Sequence, residues 1–300
     1  MDVSVVIPHY GDPTPTQELV AALLPQVAGI GEIIVADDHS PAPFPQIDGV
    51  TVVRREANGG FGANCNTGAT RAEGDHLLFL NSDVTIGPTF LADLLTAAQP
   101  YQPCMAGPRI LGHDGAVTPT ARLFPTVSHQ TAAWLTPLAR WRATDGWHRA
   151  VGHDMAAVNA ASVAVTDWLV GAALLIPRPA FEAVTGFDED FFMNSEEIDL
   201  QRRLHEQGLP AILIPSVVIQ HVGGGSSDSA HRRGWLTEAQ LHYAEKWGGA
   251  TRLRAALFGA TVTNLIWNTG RRALGREVHP LRTARDEFAL IRGRRGTLSR

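Results

Sequence analysis

Val3-Ser-Val-Val-Ile-Pro-His-Tyr10 is a short apolar run that ends in Pro, two polar rings and, at Gly11, a turn residue. It reads as a buried strand feeding a loop. The pattern then repeats outward. Residues 17–24 read as a helix that stops at Pro25. Residues 32–36 form a second apolar strand, ending in Asp37-Asp38-His39-Ser40, and Val50–Arg54 a third. Residues 61–73 have helical spacing and small side chains. His76–Leu80 is a fourth strand, ending at Asn81-Ser82-Asp83, and 89–98 is another helix. Strands alternating with helices predict an α/β fold with a doubly wound, mostly parallel sheet flanked by helices. In such sheets the ligand lies beyond the C-terminal strand ends. Pro8-His9-Tyr10, Asp37-Asp38 and Asn81-Ser82-Asp83 all fall there.

From residue 104 to about 166 the pattern weakens, a region that holds Trp134, Trp141 and Trp147 with Arg and His between them. Residues 168–177 read as one apolar strand containing Gly171. Residues 211–220 read as another, ending in His221, Val222 and the Gly/Ser run 223–227, and 236–247 as a helix. The apolar stretch 253–267 is too short to span a bilayer, which takes about 20 residues. Flanked by Arg252, Arg254, Arg271 and Arg272, it reads either as an interfacial helix or as a buried C-terminal one.

The 300 residues carry a net charge of −5, unevenly spread. Residues 251–300 hold 11 Arg, no Lys and three acids, a net of +8 that leaves −13 on the rest. A basic tail on an acidic body points to an anionic partner. No basic motif is interleaved with aromatics, so nucleic acid is not expected and an anionic membrane surface is. Cys65 and Cys104 give neither a disulfide framework nor zinc spacing. The chain runs straight into its first strand with no signal-peptide pattern. Together these predict a cytoplasmic protein, peripheral at the inner face of the plasma membrane.

Three groups of residues suggest chemistry. In the segment 186–204, Glu196, Glu197 and Asp199 open a helical pattern on which Leu200 and Leu204 share a face. Nearby aromatic rings exclude water and raise a carboxylate pKa toward that of a useful base. The alternative is a well-capped surface helix, with Asn194 and Glu197 as a capping-box-like pair. Asp83 follows a strand where a carboxylate can hold a divalent cation on a diphosphate, and His221 ends another strand with an imidazole suited to manganese. Taken singly, these read as a turn aspartate and a loop histidine. Asp37 and Asp38 are placed to accept from a base N–H or a ribose hydroxyl, or to form an Asx turn. The loop 58–68 is Gly/Asn-rich and opens a helix, a shape suited to phosphate or sugar contact. It lacks the Gly-Lys-Ser/Thr of a P-loop and is not a dinucleotide fingerprint after the first strand.

In this order, the pieces resemble the family 2 glycosyltransferases with the GT-A fold. The resemblance covers about residues 3–230 and runs through Val5-Val-Ile-Pro-His-Tyr10, Asp37-Asp38-His-Ser40, Asn58-Gly-Gly-Phe-Gly62, Asn66 and Gly68. It continues through Asn81-Ser-Asp83, Trp168-Leu-Val-Gly-Ala172, Gly186-Phe-Asp-Glu189, Phe192-Met193, Glu196-Glu-Ile-Asp199 and His221. Gly107-Pro-Arg-Ile-Leu111, Asp114-Gly115, Thr120-Ala-Arg122 and Pro125 are similar to the rhamnosyltransferase branch.

The resemblance implies a donor site built from Pro8, Tyr10, Asp37, Asp38, Asn58, Gly60, Asn66, Asn81 and Ser82. It implies a divalent metal, Mn2+ or Mg2+, on Asp83 and His221, and Glu197 as the general base. Trp168, Gly171 and Glu196 would line the acceptor or sugar pocket. Two departures stand out: Asn81-Ser82-Asp83 has one acid where the family pattern has two, and the base is Glu where the family usually has Asp. The implied partners are a nucleotide-sugar donor such as dTDP-rhamnose and a glycan or polyprenyl-diphosphate-linked acceptor, with a homo-oligomer compatible. UDP- or GDP-sugars are the alternative donors, and an inactive membrane-associated scaffold is the alternative class. A nucleotidyltransferase would carry Lys or Arg just after the first strand, where this chain has residues 9–13 without either. The expected division is a transferase domain over 1–230, with nucleotide-sugar (1–100) and acceptor (101–230) halves, and a helical, basic extension over 231–300.

Overall fold

A computed structural model describes residues 2–29, 31–221 and 229–293. In chain order, the first elements are β1 (Val3–His9), α1 (Thr14–Val27), β2 (Gly31–Asp37), β3 (Val50–Arg54), α2 (Phe61–Ala69), β4 (His76–Leu80), β5 (Val84–Thr85), α3 (Phe90–Ala98) and β6 (Met105–Leu111). There follow β7 (Ala121–Arg122), α4 (Val127–Trp134), α5 (Asp145–Ala150), α6 (Met155–Val158), β8 (Ala164–Thr166), β9 (Trp168–Leu169), β10 (Ala173–Pro177) and α7 (Arg178–Ala183). The last are α8 (Glu196–Glu206), β11 (Ala211–His221), α9 (Ser229–Trp247), α10 (Ala250–Ala273) and α11 (Pro280–Arg292).

The chain forms two compact units. One takes the residues up to Leu123 and the stretch from Ala156 through β11. Its main sheet runs β3-β2-β1-β4-β10-β6-β11-β5, with β8 on β11. The first four strands are parallel, as expected. β1 is buried almost throughout, which is why its sequence is an unbroken apolar run rather than an alternation. β10 enters antiparallel to both β4 and β6, making the sheet mixed.

Several local readings change. The helix expected over 17–24 is the longer α1. It starts with Pro15 in its first turn, where a missing N–H does no harm. It also continues through Pro25, because Val27 still packs inward. The helix expected to reach 73 stops at Ala69, where Thr70, Arg71 and Ala72 turn back onto Asn66, Gly68 and Ala69. The single strand expected over 168–177 is two. β9 leaves to pair with β7, and the chain turns at Gly171 before β10 joins the sheet. An apolar run does not reveal a corner between two buried strands. In the weak region, β6 lies between β10 and β11, its pattern masked by Gly107 and Pro108. Gly107 is tight: a Cβ there would come 2.9 Å from the Ala173 carbonyl oxygen.

The second unit takes Phe124–Met155 with α9, α10 and α11. The expected boundary at 230 is linear, whereas this unit also draws in the Trp-rich segment. The reason is a shared core and a buried polar network. Leu241, Ala244, Leu253, Leu257 and Ile291 pack with Val127 and Trp134. Trp134 donates its indole N–H to Thr261 (2.9 Å), and Asn264 accepts from the Thr136 amide (2.8 Å) and donates to the Trp134 carbonyl (3.0 Å). Glu287, almost fully buried, accepts from Arg233 at 2.8 Å. The stretch 253–267 therefore has one face inside this core, and removing it would dismantle the unit. No described helix is long and apolar enough to cross a membrane.

Candidate active site

The site elements belong to the first unit. At the end of β2, Asp37 is fully buried. Burial opposes its charge, but hydrogen bonds from Ser40 and Phe44 and the Arg54 ion pair hold its pKa below the usual range. Asp38 accepts from the Gly59 amide at 2.9 Å and the Gly60 amide at 2.8 Å, and pairs with Arg55 at 3.0 Å. Burial outweighs these partners and leaves its pKa raised. Both carboxylates thus hold loops in place: Asp37 the turn to Phe44, Asp38 the glycines before α2. Arg55 also ties that loop to α2 through the Ala63 carbonyl.

Gly60 is required by its surroundings. Its φ is 87°, and a Cβ there would sit 1.9 Å from the Phe192 carbonyl oxygen. The Phe61 amide donates to that same oxygen at 3.2 Å, so the glycine loop rests directly on the acid segment. Asn58 accepts from the Gly60 amide at 3.2 Å. Asn66 is drawn the same way: its carboxamide brackets the Phe187 backbone, accepting from its amide and donating to its carbonyl, and reaches Glu189 at 3.0 Å. Pro8 is partly buried and Tyr10 is half exposed beyond β1.

The two-residue strand β5 accounts for the next feature. Val84 is the register partner of His221, so the adjacent Asp83 comes to 3.0 Å, Oδ1 to His221 Nε2. Asn81, held by its amide to the Ala172 carbonyl, places its Nδ2 3.4 Å from the same imidazole. Its Oδ1 is buried without a hydrogen-bond partner. Ser82 lies between them, partly buried. Among the described residues no group of three or more His, Cys, Asp or Glu is arranged to hold a cation. Val222 and the Gly/Ser run 223–227 lie outside the described residues.

α8 supplies the acids. Asn194 and Ser195 both take left-handed backbone conformations, φ 71° and 65°, and Ser195 makes no side-chain cap bond. The pairing of Asn194 with Glu197 as a capping box is therefore displaced: the N-cap is Ser195, whose side chain caps nothing, while the Glu197 carboxylate meets backbone amides at the helix mouth. Glu196 is buried, Glu197 partly so, and each has a buried Oε2 with no hydrogen-bond partner. Burial raises the pKa of both. The neighbouring Glu197 charge pushes Glu196 further, while backbone amides and Arg122 pull Glu197 back. Both carboxyls are thus shifted toward the protonated form, with Arg122 favouring the ionised form of Glu197.

Gln201 fixes this end of α8 by pairing with both backbone groups of Leu169 in β9 (2.9 and 2.7 Å). Arg203, paired to Asp199, binds the Val184 and Gly186 carbonyls. At the corner after β9, a Cβ on Gly171 would lie 3.2 Å from Glu197 Cβ. The glycine thus leaves room for the stem of the longer acid. Trp168 is buried, donates to the Leu123 carbonyl at 2.9 Å and carries Arg122 over its ring at 5.5 Å. Arg122 was visible only as one letter of a branch motif; its electrostatic pull on Glu197 depends on β7 joining β9, a contact that leaves no periodicity to read.

The glycosyl transferase family 2 profile matches residues 4–160, just over half of the chain. An N-acetylglucosaminyl-diphospho-decaprenol L-rhamnosyltransferase of Mycobacterium tuberculosis is 33% identical over 148 residues, 49% of this chain and 47% of the relative. The O-antigen biosynthesis protein RfbC of Myxococcus xanthus is 27% identical over 245 residues, covering 77% of this chain and 18% of the relative. The matches thus span about half or less of these relatives' lengths. In fold, the chain is similar to GalNAc-T7 with UDP, GalNAc and Mn2+, with a TM-score of 0.57 at 15% identity over 82% of this chain and 48% of that one. S. aureus TarS 1–349 in complex with UDP gives 0.53 at 16% identity, over 96% and 71%. At such identities the likeness carries the fold alone, and that fold is GT-A, as expected. With a family match laid over a sheet of this order, the chain belongs to glycosyl transferase family 2 and resembles its rhamnosyltransferase branch.

Proposed function

We propose that this protein is an inverting glycosyltransferase that moves L-rhamnose from dTDP-L-rhamnose to a glycan or polyprenyl-diphosphate-linked saccharide. The observation that carries the transfer chemistry is the Glu196–Glu197 pair, two neighbouring acids with orphaned buried oxygens at one helix mouth. Glu197 takes the proton of the acceptor hydroxyl. Arg122 favours the ionised form of Glu197 before that step, and burial and the Glu197 charge favour the protonated form of Glu196. Attack from the face opposite the leaving group converts a β-L-rhamnosyl donor into an α-L-rhamnoside. The donor and acceptor follow from the 33% identical relative, whose own name specifies a diphospho-decaprenol acceptor and rhamnose; a UDP- or GDP-sugar donor is the alternative.

Asp83 and His221, with the orphaned Asn81 Oδ1 beside them, suit a divalent cation such as Mn2+ or Mg2+. Bound there, the cation would neutralise charge developing on the departing nucleotide diphosphate. Pro8, Tyr10, Asn58, Gly60 and Ser82 are placed at strand ends and loops for donor contact. Asp37, Asp38 and Asn66 contribute by holding that frame. The basic tail suits work at the inner face of the plasma membrane, where a lipid-linked acceptor resides.

The test is a donor screen: thermal shift and hydrolysis with dTDP-, UDP- and GDP-sugars, with manganese, with magnesium and with EDTA. Metal-dependent binding is expected, strongest for dTDP-rhamnose, with Asp83→Ala weakening it about tenfold or more. Tight binding in excess EDTA, unchanged in the variant, overturns the metal assignment. No turnover of any nucleotide sugar overturns the transferase assignment.

A further inference from the structure

α10 has two apolar faces. One is in the core of its own unit, through Leu253, Leu257 and Ala260. The other faces outward: Phe258, Val262 and Ile266 recur every four residues on the opposite side, Phe258 half exposed beside Phe288 of α11 with ring centres 4.5 Å apart, and Ile266 is 69% exposed. From Ala255 to Gly270 the helix carries no charged residue, a length of about 24 Å at 1.5 Å per residue. A surface helix of a soluble protein normally turns charges outward. Beside this face lie two more exposed rings, Trp267 and Trp141, the latter on the 3-10 turn Thr136–Trp141. Arg140 bridges them, its guanidinium 4.0 Å from the Trp141 ring centre and 5.6 Å from that of Trp267. Arg271 and Arg272 follow at the helix end, and Leu274, 83% exposed, extends the apolar surface.

We propose that this composite face, α10 together with the 136–141 turn, is an in-plane docking surface for an anionic lipid bilayer. It deepens the membrane reading above and rests on it. Phe258, Val262 and Ile266 enter the acyl boundary, the two indoles sit at headgroup depth, and Arg140, Arg271 and Arg272 meet lipid phosphates. Charge selects this occupant over a second copy of the chain. Residues 251–300 carry +8, so a self-complementary pairing would bring like charges together, whereas an anionic headgroup layer attracts each of them. The turn at 136–141 is part of the surface because Asn264 and Trp134 pin it to α10.

The test uses the full chain and vesicles of phosphatidylcholine with or without phosphatidylglycerol. Wild type should sediment with anionic vesicles, less so in high salt, and its Trp fluorescence should be quenched by brominated acyl chains. The double variant Val262→Glu/Ile266→Glu alters only exposed side chains. It should keep its melting temperature yet lose about tenfold or more in vesicle partition, together with the quenching. Trp141→Ala should lose partition in the same direction by a smaller factor. Equal binding to neutral and anionic vesicles, or undiminished binding by the double variant, overturns the proposal. So does a concentration-dependent dimer that the double variant splits while no preparation binds lipid. Nucleotide-sugar turnover is measured without vesicles on the same preparations. Turnover without vesicle binding overturns this proposal alone, and vesicle binding without turnover supports it while striking the transferase reading.

Discussion

Two pairs of adjacent carboxylates sit in one unit and are treated in opposite ways. Asp37 and Asp38 are surrounded by partners: Arg54, Arg55 and the amides of Ser40, Phe44, Gly59 and Gly60. Glu196 is set against Gly62 and Glu197 against Gly171, each with an unpartnered oxygen. A buried charge with its hydrogen bonds filled is a structural device. Burial raises the pKa of Asp38 as well as of both glutamates, but only the glutamates keep an unpartnered buried oxygen to meet a substrate proton. In sequence, the two pairs look alike; the difference lies in which backbone amides and arginines reach them.

The sharpest break in that comparison comes from amidation of the second pair. Glu197→Gln should leave donor affinity nearly intact and cut turnover by about 100-fold or more, the scale of general-base catalysis. Single-turnover kinetics with each variant reads it directly, and an active Glu197→Gln beside a crippled Glu196→Gln would move the base one residue earlier. Next, Asp37→Ala should act on stability rather than chemistry. It strips Arg54 and two amides of their acceptor and should cost about 3 kcal/mol, the low end for a broken buried pair because Arg54 is partly exposed. Urea unfolding measures it, and a stable variant with lost donor binding would put Asp37 on the nucleotide instead.

The smallest effects are in pH dependence. Arg122 lowers the Glu197 pKa, so Arg122→Gln should shift the acid limb of the kcat/KM profile to higher pH. The Glu196 pKa is raised in the fold, so the folded state binds its proton more tightly than the unfolded chain does. Stability from this group is therefore lost as pH rises above the ordinary carboxylate range. Glu196→Gln should raise the melting temperature at neutral pH and lose that advantage on acidification. An acid limb that does not move in Arg122→Gln would separate the arginine from the base.

Much of residues 1–100 was legible because β1, β2 and β4 are largely buried apolar runs that each end in a polar cluster. His76–Leu80 was read to the residue for that reason, and Val50–Arg54 was too, although it is a half-exposed edge strand. Residues 101–230 were less legible, because their geometry is carried by corners and crossings. Trp168 to Pro177 is continuous in hydropathy, yet turns at Gly171. The inserted β6 contains Gly and Pro, which argue against a central strand. Asn194 and Glu197 were read as a capping-box-like pair, but no propensity rule announces two left-handed residues in succession, and the N-cap Ser195 makes no side-chain cap bond. Trp134 looked like part of an unassigned aromatic region, because its partners Thr261 and Asn264 lie more than a hundred residues away.

That two-residue strand β5 also sets a clock on biosynthesis. Asn81 and His221 are 140 residues apart, so a ribosome adding about 5–20 residues per second needs roughly 7–28 s to travel between them. Throughout that interval, the emerging chain can carry β1 to β4 and their polar ends, but not the imidazole that faces Asp83. The growing polypeptide thus holds Asn81 and Asp83 without the imidazole that they meet in the fold, and the pairing of Val84 with His221 waits until β11 has been made.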